Sequence, residues 1–183
     1  QSGAAIALGN FDGLHAGHRA VIESARGQAR KLGVPLGVAT FEPAPRRHFQ
    51  PDASPFRLMT PLQRQIAMDR LGVDQLHLLR FDAVMAAMTD REFCERVILG
   101  EVGARSVSVG FDFRFGKNRM GDADTLTRIG AEMGFAVEVV AEVKAAGEKV
   151  SSSRIREAIE RGDMGAARQG LGAWWTTDAI VEH

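Results

Sequence analysis

Two histidines stand three residues apart in a glycine-containing stretch near the start of the chain. The stretch reads Gly9-Asn-Phe-Asp-Gly-Leu-His-Ala-Gly-His18, so its histidines are His15 and His18. An apolar run, residues 4–8, precedes it, and a helical pattern follows it. Backbone N–H groups and the positive dipole end at a helix start favour a bound phosphate, and residues three apart project to nearly the same side. The stretch therefore predicts a phosphate-binding turn flanked by two imidazoles.

Two other interpretations of these histidines stay open. One is that they are ordinary packed or surface residues. The other is metal ligation, which needs a third and usually a fourth ligand, and no cysteine or second histidine pair lies nearby in the sequence. The chain has no Walker-A pattern, which disfavours a P-loop kinase.

A second chemical signal is the stretch Val150-Ser-Ser-Ser-Arg-Ile-Arg156 at a predicted helix start. Serine is a common helix cap, but a cap needs only one serine. Extra hydroxyls together with arginines suit a polyphosphate, which accepts charge-assisted and bidentate hydrogen bonds. This stretch predicts a second phosphate-binding segment.

A third stretch, Gly110-Phe-Asp-Phe-Arg-Phe-Gly116, carries aromatic residues at alternating positions, with Asp112 and Arg114 between them. The aromatic rings could extend a strand into the core. They could equally form an apolar slot for a planar ring, with the polar residues fixing its orientation. The spacing alone favours neither interpretation.

The hydrophobic patterns that must position these stretches alternate between strand and helix. Strands are predicted at residues 4–8, 35–41, 75–80, 106–110 and 135–140, with helices between them. This alternation predicts an α/β, Rossmann-like fold with a mostly parallel five-stranded sheet and helices on both faces. Ligands bind such sheets at the strand carboxyl ends, where the loops after Leu8, Phe41 and Gly110 should gather.

Some local predictions are more specific. The first helix should bury one face, and Gly33 should end it. An extended loop is expected over 42–48 because of its two prolines, and irregular structure over 49–60. Helices are predicted at 151–161 and 164–171, and a strand is expected to begin at 177–181. The predicted buried face comprises Val21, Ile22, Ala25, Ala29 and Leu32.

Composition limits the classes of function. The 183 residues have a formal net charge of zero, 45% hydrophobic and 25% charged residues, so neither nucleic acid nor an anionic membrane is an expected partner. The single cysteine, Cys94, precludes an internal disulfide and fits a reducing compartment. No apolar run has the length of a membrane span, and no signal peptide is visible. We expect a cytoplasmic protein.

The chain resembles the bacterial FAD synthetases, the adenylyltransferase part of bifunctional riboflavin kinase/FMN adenylyltransferases, in the nucleotidyltransferase superfamily. The resemblance covers nearly the whole chain. It rests on the histidine stretch, on Thr40-Phe-Glu-Pro-Ala-Pro45, on the aromatic stretch and on the serine-arginine stretch, all in the family's order. The histidine stretch alone indicates only the superfamily, whereas the aromatic and Phe-Glu-Pro stretches indicate the flavin branch.

The resemblance implies that FMN and ATP give FAD and pyrophosphate, with Mg²⁺ held mainly by phosphate oxygens and no dedicated protein metal ligands. It implies catalytic roles for His15, His18, Ser152 and Arg156. The implied ATP-binding residues are Gly9, Asn10, Phe11, Asp12, Gly13, His15, His18, Ser151, Ser152 and Arg156. The implied flavin-binding residues are Phe41, Pro43, Asp112, Phe113, Arg114 and Phe115.

The chain departs from the family pattern in three places. Ala44 stands where the family usually has histidine, although His48 is nearby in sequence, and Ser153 replaces the usual threonine. A riboflavin kinase module normally follows, so residues 1–173 are predicted to form the adenylyltransferase domain and 174–183 the first strand of such a module, covalently linked. Kinase activity is not expected from these residues alone.

Two alternative functions stay open. One is another nucleotidyltransferase, acting on pantetheine phosphate, nicotinate mononucleotide or a polyol phosphate. The other is a non-catalytic nucleotide or flavin sensor, which only Ala44 favours. The aromatic stretch argues against a pantetheine acceptor, because a flavin ring stacks on aromatic side chains and a pantetheine arm does not.

Overall fold

The structure is a computed structural model that describes residues 3–49, 57–145 and 147–177. Its main sheet has five parallel strands in the order β3-β2-β1-β4-β5. This architecture confirms the predicted α/β, Rossmann-like fold. The strands are β1 (Ala4–Leu8), β2 (Leu36–Glu42), β3 (Gln75–Arg80), β4 (Ala104–Gly110) and β5 (Ala136–Val140).

Helices connect the strands and continue beyond the last one. A short antiparallel hairpin, β6 (Lys144–Ala145) and β7 (Glu148–Lys149), precedes the last two helices. The α-helices are α1 (Ala16–Leu32), α2 (Pro45–Phe49), α3 (Pro61–Arg70), α4 (Ala83–Ala87), α5 (Asp90–Phe93), α6 (Ala123–Met133), α7 (Ser152–Glu160) and α8 (Met164–Leu171). A π-helix, Cys94–Glu101, extends α5, and a 3₁₀ turn covers Lys117–Arg119.

The central strand β1 separates two apolar layers, because its successive side chains alternate between the faces of the sheet. Ala5 and Ala7 face the layer that contains α1. Ile6 and Leu8 face the opposite layer, which contains the π-helix and α6. All residues of β1 are buried, so the turn that follows β1 begins at a strand end that is held by packing on both faces of the sheet.

The end of β1 is also where the strand order changes direction. β1 pairs with β2 on one side and with β4 on the other, and the chain fills one side of the sheet before it crosses to the other. Parallel sheets of this kind form a crevice outside the strand carboxyl ends at this point. The loops after β1, β2 and β4 therefore meet at one edge, as the sequence predicts.

Two local predictions are wrong. The segment predicted as extended contains α2, because Pro45 occupies the first helical position, where no backbone N–H is needed. Leu32, predicted on the buried face of α1, is 39% exposed. Gly33 ends the helix immediately after it, with φ 64°, and Val34 packs against the α1-side layer instead.

Other predictions are confirmed or fall outside the described residues. The remaining four residues of the predicted α1 face are buried, and Cys94 is buried. Within the described residues, no helix is long and apolar enough to cross a membrane. The strand predicted at 177–181 lies outside the described residues apart from Thr177, as do residues 50–56 of the predicted irregular segment. The domain boundary at 173 and the cytoplasmic location stay predictions.

Candidate active site

The turn between β1 and α1 is built from an unusual backbone. Phe11 and Leu14 have positive φ angles of 46° and 44°, a conformation that costs energy for residues with a side chain. Both side chains are buried, and this burial offsets the backbone cost. The turn ends at His15, which is the N-cap of α1, and its Nδ1 accepts a 3.4 Å hydrogen bond from the His18 backbone N–H.

The two histidines form one stacked pair. The ring centroids of His15 and His18 are 3.7 Å apart with an interplanar angle of 20°. The Phe11 ring packs against His18 at a tilt, with ring centroids 5.3 Å apart. The predicted juxtaposition of these imidazoles is therefore present, although His15 caps the helix rather than lying within it.

Burial keeps both imidazoles neutral near pH 7. It lowers the pKa of His15 to about 4, although the carboxylates of Asp112 and Asp12 oppose that change. Burial also lowers the pKa of His18 well below its usual value, and His15 and Arg156 lower it further. The buried Nδ1 of His18 has no hydrogen-bond partner among the residues that the structure describes. The described residues therefore leave its hydrogen-bonding capacity unused.

Helix α7 brings the serine-arginine stretch to the same turn. Ser151 caps α7, and its side chain accepts a hydrogen bond from the Arg154 N–H. The Ser152 hydroxyl donates a 2.7 Å hydrogen bond to the carbonyl oxygen of Asp12. The start of α7 is thus attached to the β1–α1 turn, and the two predicted phosphate-binding segments form one surface.

The Asp12 carboxylate is the centre of this surface. It accepts hydrogen bonds from the backbone N–H groups of Leu58 and Met59, at 3.0 and 3.1 Å, and from Arg156 Nη2 at 2.6 Å. The Leu58 carbonyl in turn accepts a 3.1 Å hydrogen bond from the Trp175 indole. Residues 58 and 59 are therefore held against the β1–α1 turn by hydrogen bonds to Asp12.

A cavity of about 1070 Å³ opens at this edge of the sheet. It brings together both sets of predicted residues. Those from the ATP set that line it are Gly9, Asn10, Phe11, Asp12, His15, His18, Ser151, Ser152 and Arg156, and those from the flavin set are Phe41, Asp112, Phe113, Arg114 and Phe115. Two predicted residues, Gly13 and Pro43, are not among the lining residues.

Gly13 has a packing role instead. Its φ of 89° is a conformation that side chains rarely adopt, and a Cβ added there would lie 2.7 Å from Leu58 Cδ1 and 3.1 Å from Leu171 Cδ2. Only glycine fits this backbone and this space. Gly13 therefore seats the turn on the cluster that Leu58 forms with α7 and α8.

Aromatic rings form another part of the cavity wall. Phe41 contacts Phe81 edge-on at 5.9 Å and Phe93 at 6.4 Å. Phe115 lies 5.4 Å from Phe93 and stacks on Phe113 at 5.7 Å. Phe115 is 5% exposed and also lines the cavity, so the rings of the aromatic stretch belong both to the core and to the cavity wall. Binding of a planar ring by them stays a prediction.

The polar residues of the aromatic stretch are fixed by ion pairs. Asp112 accepts from Lys149 Nζ at 2.6 Å, and the same ammonium lies 4.7 Å from the Phe111 ring centroid. Arg114 pairs with Asp122 at 3.3 Å. These contacts attach the loop after β4 to the β7 strand and to the start of α6.

Ala44 lines the cavity, and His48 does not replace the histidine that the family usually has there. The His48 ring packs edge-on against Phe49 and Phe81, at 5.2 and 5.7 Å, and His48 is not a lining residue. The wall at position 44 therefore presents a methyl group.

A charged cluster that was not predicted from the sequence lines the same cavity. Glu42, the last residue of β2, forms ion pairs with Arg57 at 2.5 Å and with Arg64 at 3.0 Å, and all three line the cavity. The position of Glu42 at the carboxyl end of a strand could have identified it as a candidate site residue. Its partners lie 15 and 22 residues away, at a spacing that no helix or strand periodicity links.

Within the described part of the chain, no group of three or more histidine, cysteine, aspartate or glutamate side chains is placed to hold a metal ion. His15 and His18 thus stand without further protein ligands of these types among the described residues.

Comparison with known proteins gives the family. A family model described as FAD synthetase matches residues 1–154. The chain belongs to the FAD synthetase family. The chain is 38% identical, over 99% of its length, to the bifunctional riboflavin kinase/FMN adenylyltransferase of Pseudomonas fluorescens. It is 34% identical over its full length to the Bacillus subtilis protein of the same name. It spans 58% of each of these relatives.

Solved structures agree with the fold. The chain superposes with a TM-score of 0.80 and 30% identity on a Streptococcus pneumoniae protein named as a macrolide-efflux protein, covering 94% of this chain and 56% of that one. A pantothenate synthetase from Thermus thermophilus superposes with a TM-score of 0.52 and 20% identity, covering 94% and 76%. The second similarity supports the Rossmann-like fold alone.

Proposed function

We propose that this chain transfers the adenylyl group of ATP to FMN, which gives FAD and pyrophosphate. One observation carries the proposal: a single cavity is lined both by paired histidines, serines and an arginine and by aromatic rings. A dinucleotide that joins a nucleotide to a planar flavin needs both kinds of surface, which we call the nucleotide end and the aromatic end. Membership of the FAD synthetase family and the names of the relatives support the same reaction.

At the nucleotide end, the backbone of Gly9, Asn10, Phe11 and Asp12 would border the ATP. His15 and His18 would contact its phosphates as neutral imidazoles, each of which can donate one N–H. Ser151, Ser152 and Arg156 at the start of α7 would hold the β- and γ-phosphates, where the helix dipole and charge-assisted hydrogen bonds favour anions.

At the aromatic end, Phe41, Phe113 and Phe115 would provide the apolar surface for the isoalloxazine ring. Asp112 and Arg114 would fix the orientation of its polar edge. Pro43, which follows the Glu42 strand end but does not line the cavity, would act only by shaping the loop after β2.

The reaction needs no covalent enzyme intermediate. An oxygen of the FMN phosphate attacks the α-phosphorus of ATP, a new P–O bond forms, and the bond to the β-phosphate oxygen breaks in line with it. Pyrophosphate leaves with the electron pair. The protein would contribute alignment of two anions and donors that face the departing charge, and these are the roles we assign to His15, His18, Ser152 and Arg156.

Mg²⁺ would accompany ATP and neutralise phosphate charge. Magnesium prefers oxygen ligands and retains several waters, so it is commonly bound through substrate phosphates rather than by an all-protein cage. The described residues of this cavity fit that mode, because its ATP end offers hydrogen-bond donors rather than clustered carboxylates. Any riboflavin kinase activity would belong to a linked module.

The test is to incubate the purified chain with FMN, ATP and Mg²⁺ and to quantify FAD and pyrophosphate. The double variant His15→Ala/His18→Ala should lose FAD formation, whereas His48→Ala, which removes a histidine outside the cavity wall, should keep it. Riboflavin, pantetheine phosphate and nicotinate mononucleotide serve as alternative acceptors. Full activity in the double variant, or preference for another acceptor, would refute the proposal.

A further inference from the structure

The cluster of Glu42, Arg57 and Arg64 has more positive than negative charge. Arg57 makes a bidentate contact with Glu42, at 2.5 and 3.1 Å, and Arg64 Nη2 donates to Glu42 Oε2 at 3.0 Å. The hydrogen bond from Arg57 is the main cause that lowers the pKa of Glu42, so its carboxylate is ionised. Two guanidinium groups thus share one carboxylate. The Asp12 carboxylate also raises the pKa of Arg57, but it is itself paired with Arg156, so one positive charge remains in excess.

Part of this charge is buried. Arg64 is 8% exposed, and its Nε–H has no partner among the described residues. Buried cations are costly unless they are paired. The excess positive charge in a cavity wall therefore favours an anion in the cavity beside the cluster.

The cluster adjoins both groups of cavity-lining residues along the chain. Glu42 directly follows Phe41 of the aromatic wall, and Arg57 directly precedes Leu58, whose N–H is bonded to Asp12 in the nucleotide turn. A molecule with its ring on the aromatic wall and its reacting group at the nucleotide end would pass this point.

We propose that Arg57, supported by Glu42 and Arg64, binds the phosphate group of the flavin acceptor and so selects FMN over riboflavin. This inference rests on the proposed function. A guanidinium presents donors in a planar fork that matches phosphate oxygens. Glu42 engages the Nη1 and Nη2 groups of Arg57 and so fixes the plane of the guanidinium, and a phosphate would use the remaining N–H groups of that plane. Arg64 supplies the additional positive charge. The ATP phosphates already have donors in the histidine pair and in Arg156, which favours the acceptor as the ligand of Arg57.

The experiment compares Arg57→Gln with Arg80→Gln. Arg80 is an ion-paired arginine at the end of β3 that does not line the cavity. Binding of FMN and of riboflavin is measured by flavin fluorescence, and KM is measured for FMN and for ATP. We expect Arg57→Gln to weaken FMN binding about tenfold, the usual size of a charge-assisted hydrogen bond, and to leave riboflavin binding and the KM of ATP within about twofold. Arg80→Gln should change neither.

Several results would overturn the inference. They are unchanged FMN affinity in Arg57→Gln, an equal loss for FMN and riboflavin, and a higher KM for ATP but not for FMN. Arg57→Lys keeps the charge but not the planar fork, so it should retain part of the FMN preference. Thermal melts of all variants check that they are folded. If the wild-type chain binds FMN but forms no FAD, the proposed reaction fails while the binding comparison still tests Arg57.

Discussion

Arg156 of α7 donates a 2.6 Å hydrogen bond to Asp12 in the turn after β1, and both side chains are 17% exposed. The pair joins segments that are 144 residues apart in sequence. Because the same carboxylate also accepts from Leu58 and Met59, Asp12 has little capacity left for a ligand. Its structural role is to position Arg156 and residues 58–59 around the nucleotide end.

Replacing Asp12 tests that role. Asp12→Asn keeps an acceptor for a backbone N–H but removes the charge that holds Arg156, so KM for ATP should rise about tenfold with little change in KM for FMN. Asp12→Ala should also lower the free energy of unfolding by about 2 kcal/mol. Steady-state kinetics and urea denaturation measure these effects. Asp124→Asn, which changes an exposed aspartate of α6, is the control and should change neither quantity.

The stability of the protein should depend on His15 at mildly acidic pH. Burial lowers the pKa of His15 from 6.5 to about 4, so between these values the unfolded chain binds a proton that the folded chain does not. The contribution of His15 to stability is unaffected above pH 6.5 and falls as pH decreases towards 4.

Urea denaturation from about pH 7.5 to about pH 4.5 checks this expectation. His15→Asn keeps a good N-cap residue and should reduce the acid-induced loss of unfolding free energy by up to about 3 kcal/mol at the acidic end of that range. Identical pH profiles for the wild type and His15→Asn would contradict it.

Phe113 and Phe115 should give different phenotypes although their rings stack. Phe115 belongs to the core, so Phe115→Ala should lower the unfolding free energy by about 3 kcal/mol. Phe113 is only partly buried against that core, so Phe113→Ala should act mainly on the flavin end and raise KM for FMN about tenfold with KM for ATP unchanged. Thermal melts and kinetics on both variants separate the two effects, and equal effects on stability would argue against this division.

Gly13→Ala should be more harmful than Gly33→Ala. Both glycines have positive φ angles, but a Cβ at Gly33 has nothing within 4 Å, whereas one at Gly13 meets Leu58 at 2.7 Å. We expect Gly33→Ala to cost about 1 kcal/mol from backbone strain alone. Gly13→Ala should cost about 1–3 kcal/mol more because of overpacking, and chemical denaturation of both variants measures the difference.

Local patterns predicted the elements of the sheet well. Buried strands show as apolar runs, and Gly33 and the Thr60 and Thr89 capping residues mark helix ends by their own chemistry. The histidine pair was predictable for the same reason, because a spacing of three residues is a helical spacing. α2 was missed because proline both disfavours helix interiors and favours helix starts.

Contacts between distant segments were not predictable in this way. Asp12 and Arg156 each stood out as residues of a phosphate-binding stretch, but nothing in either stretch indicates that they pair with each other. The cluster around Glu42 depends on the path of the chain between β2 and α3, which residue spacing does not determine. The π-helix is a further case, since its apolar positions also fit an ordinary α-helix.

Leu58 uses both of its backbone polar groups for distant partners. Its N–H is bonded to Asp12 and its carbonyl to Trp175, while its side chain packs with α7 and α8. Local opening of the chain near Trp175 would therefore break contacts that also hold the β1–α1 turn. We expect these three distant segments to open as one cooperative unit, so the exchange of the Leu58 amide proton with solvent should report on the integrity of the β1–α1 turn.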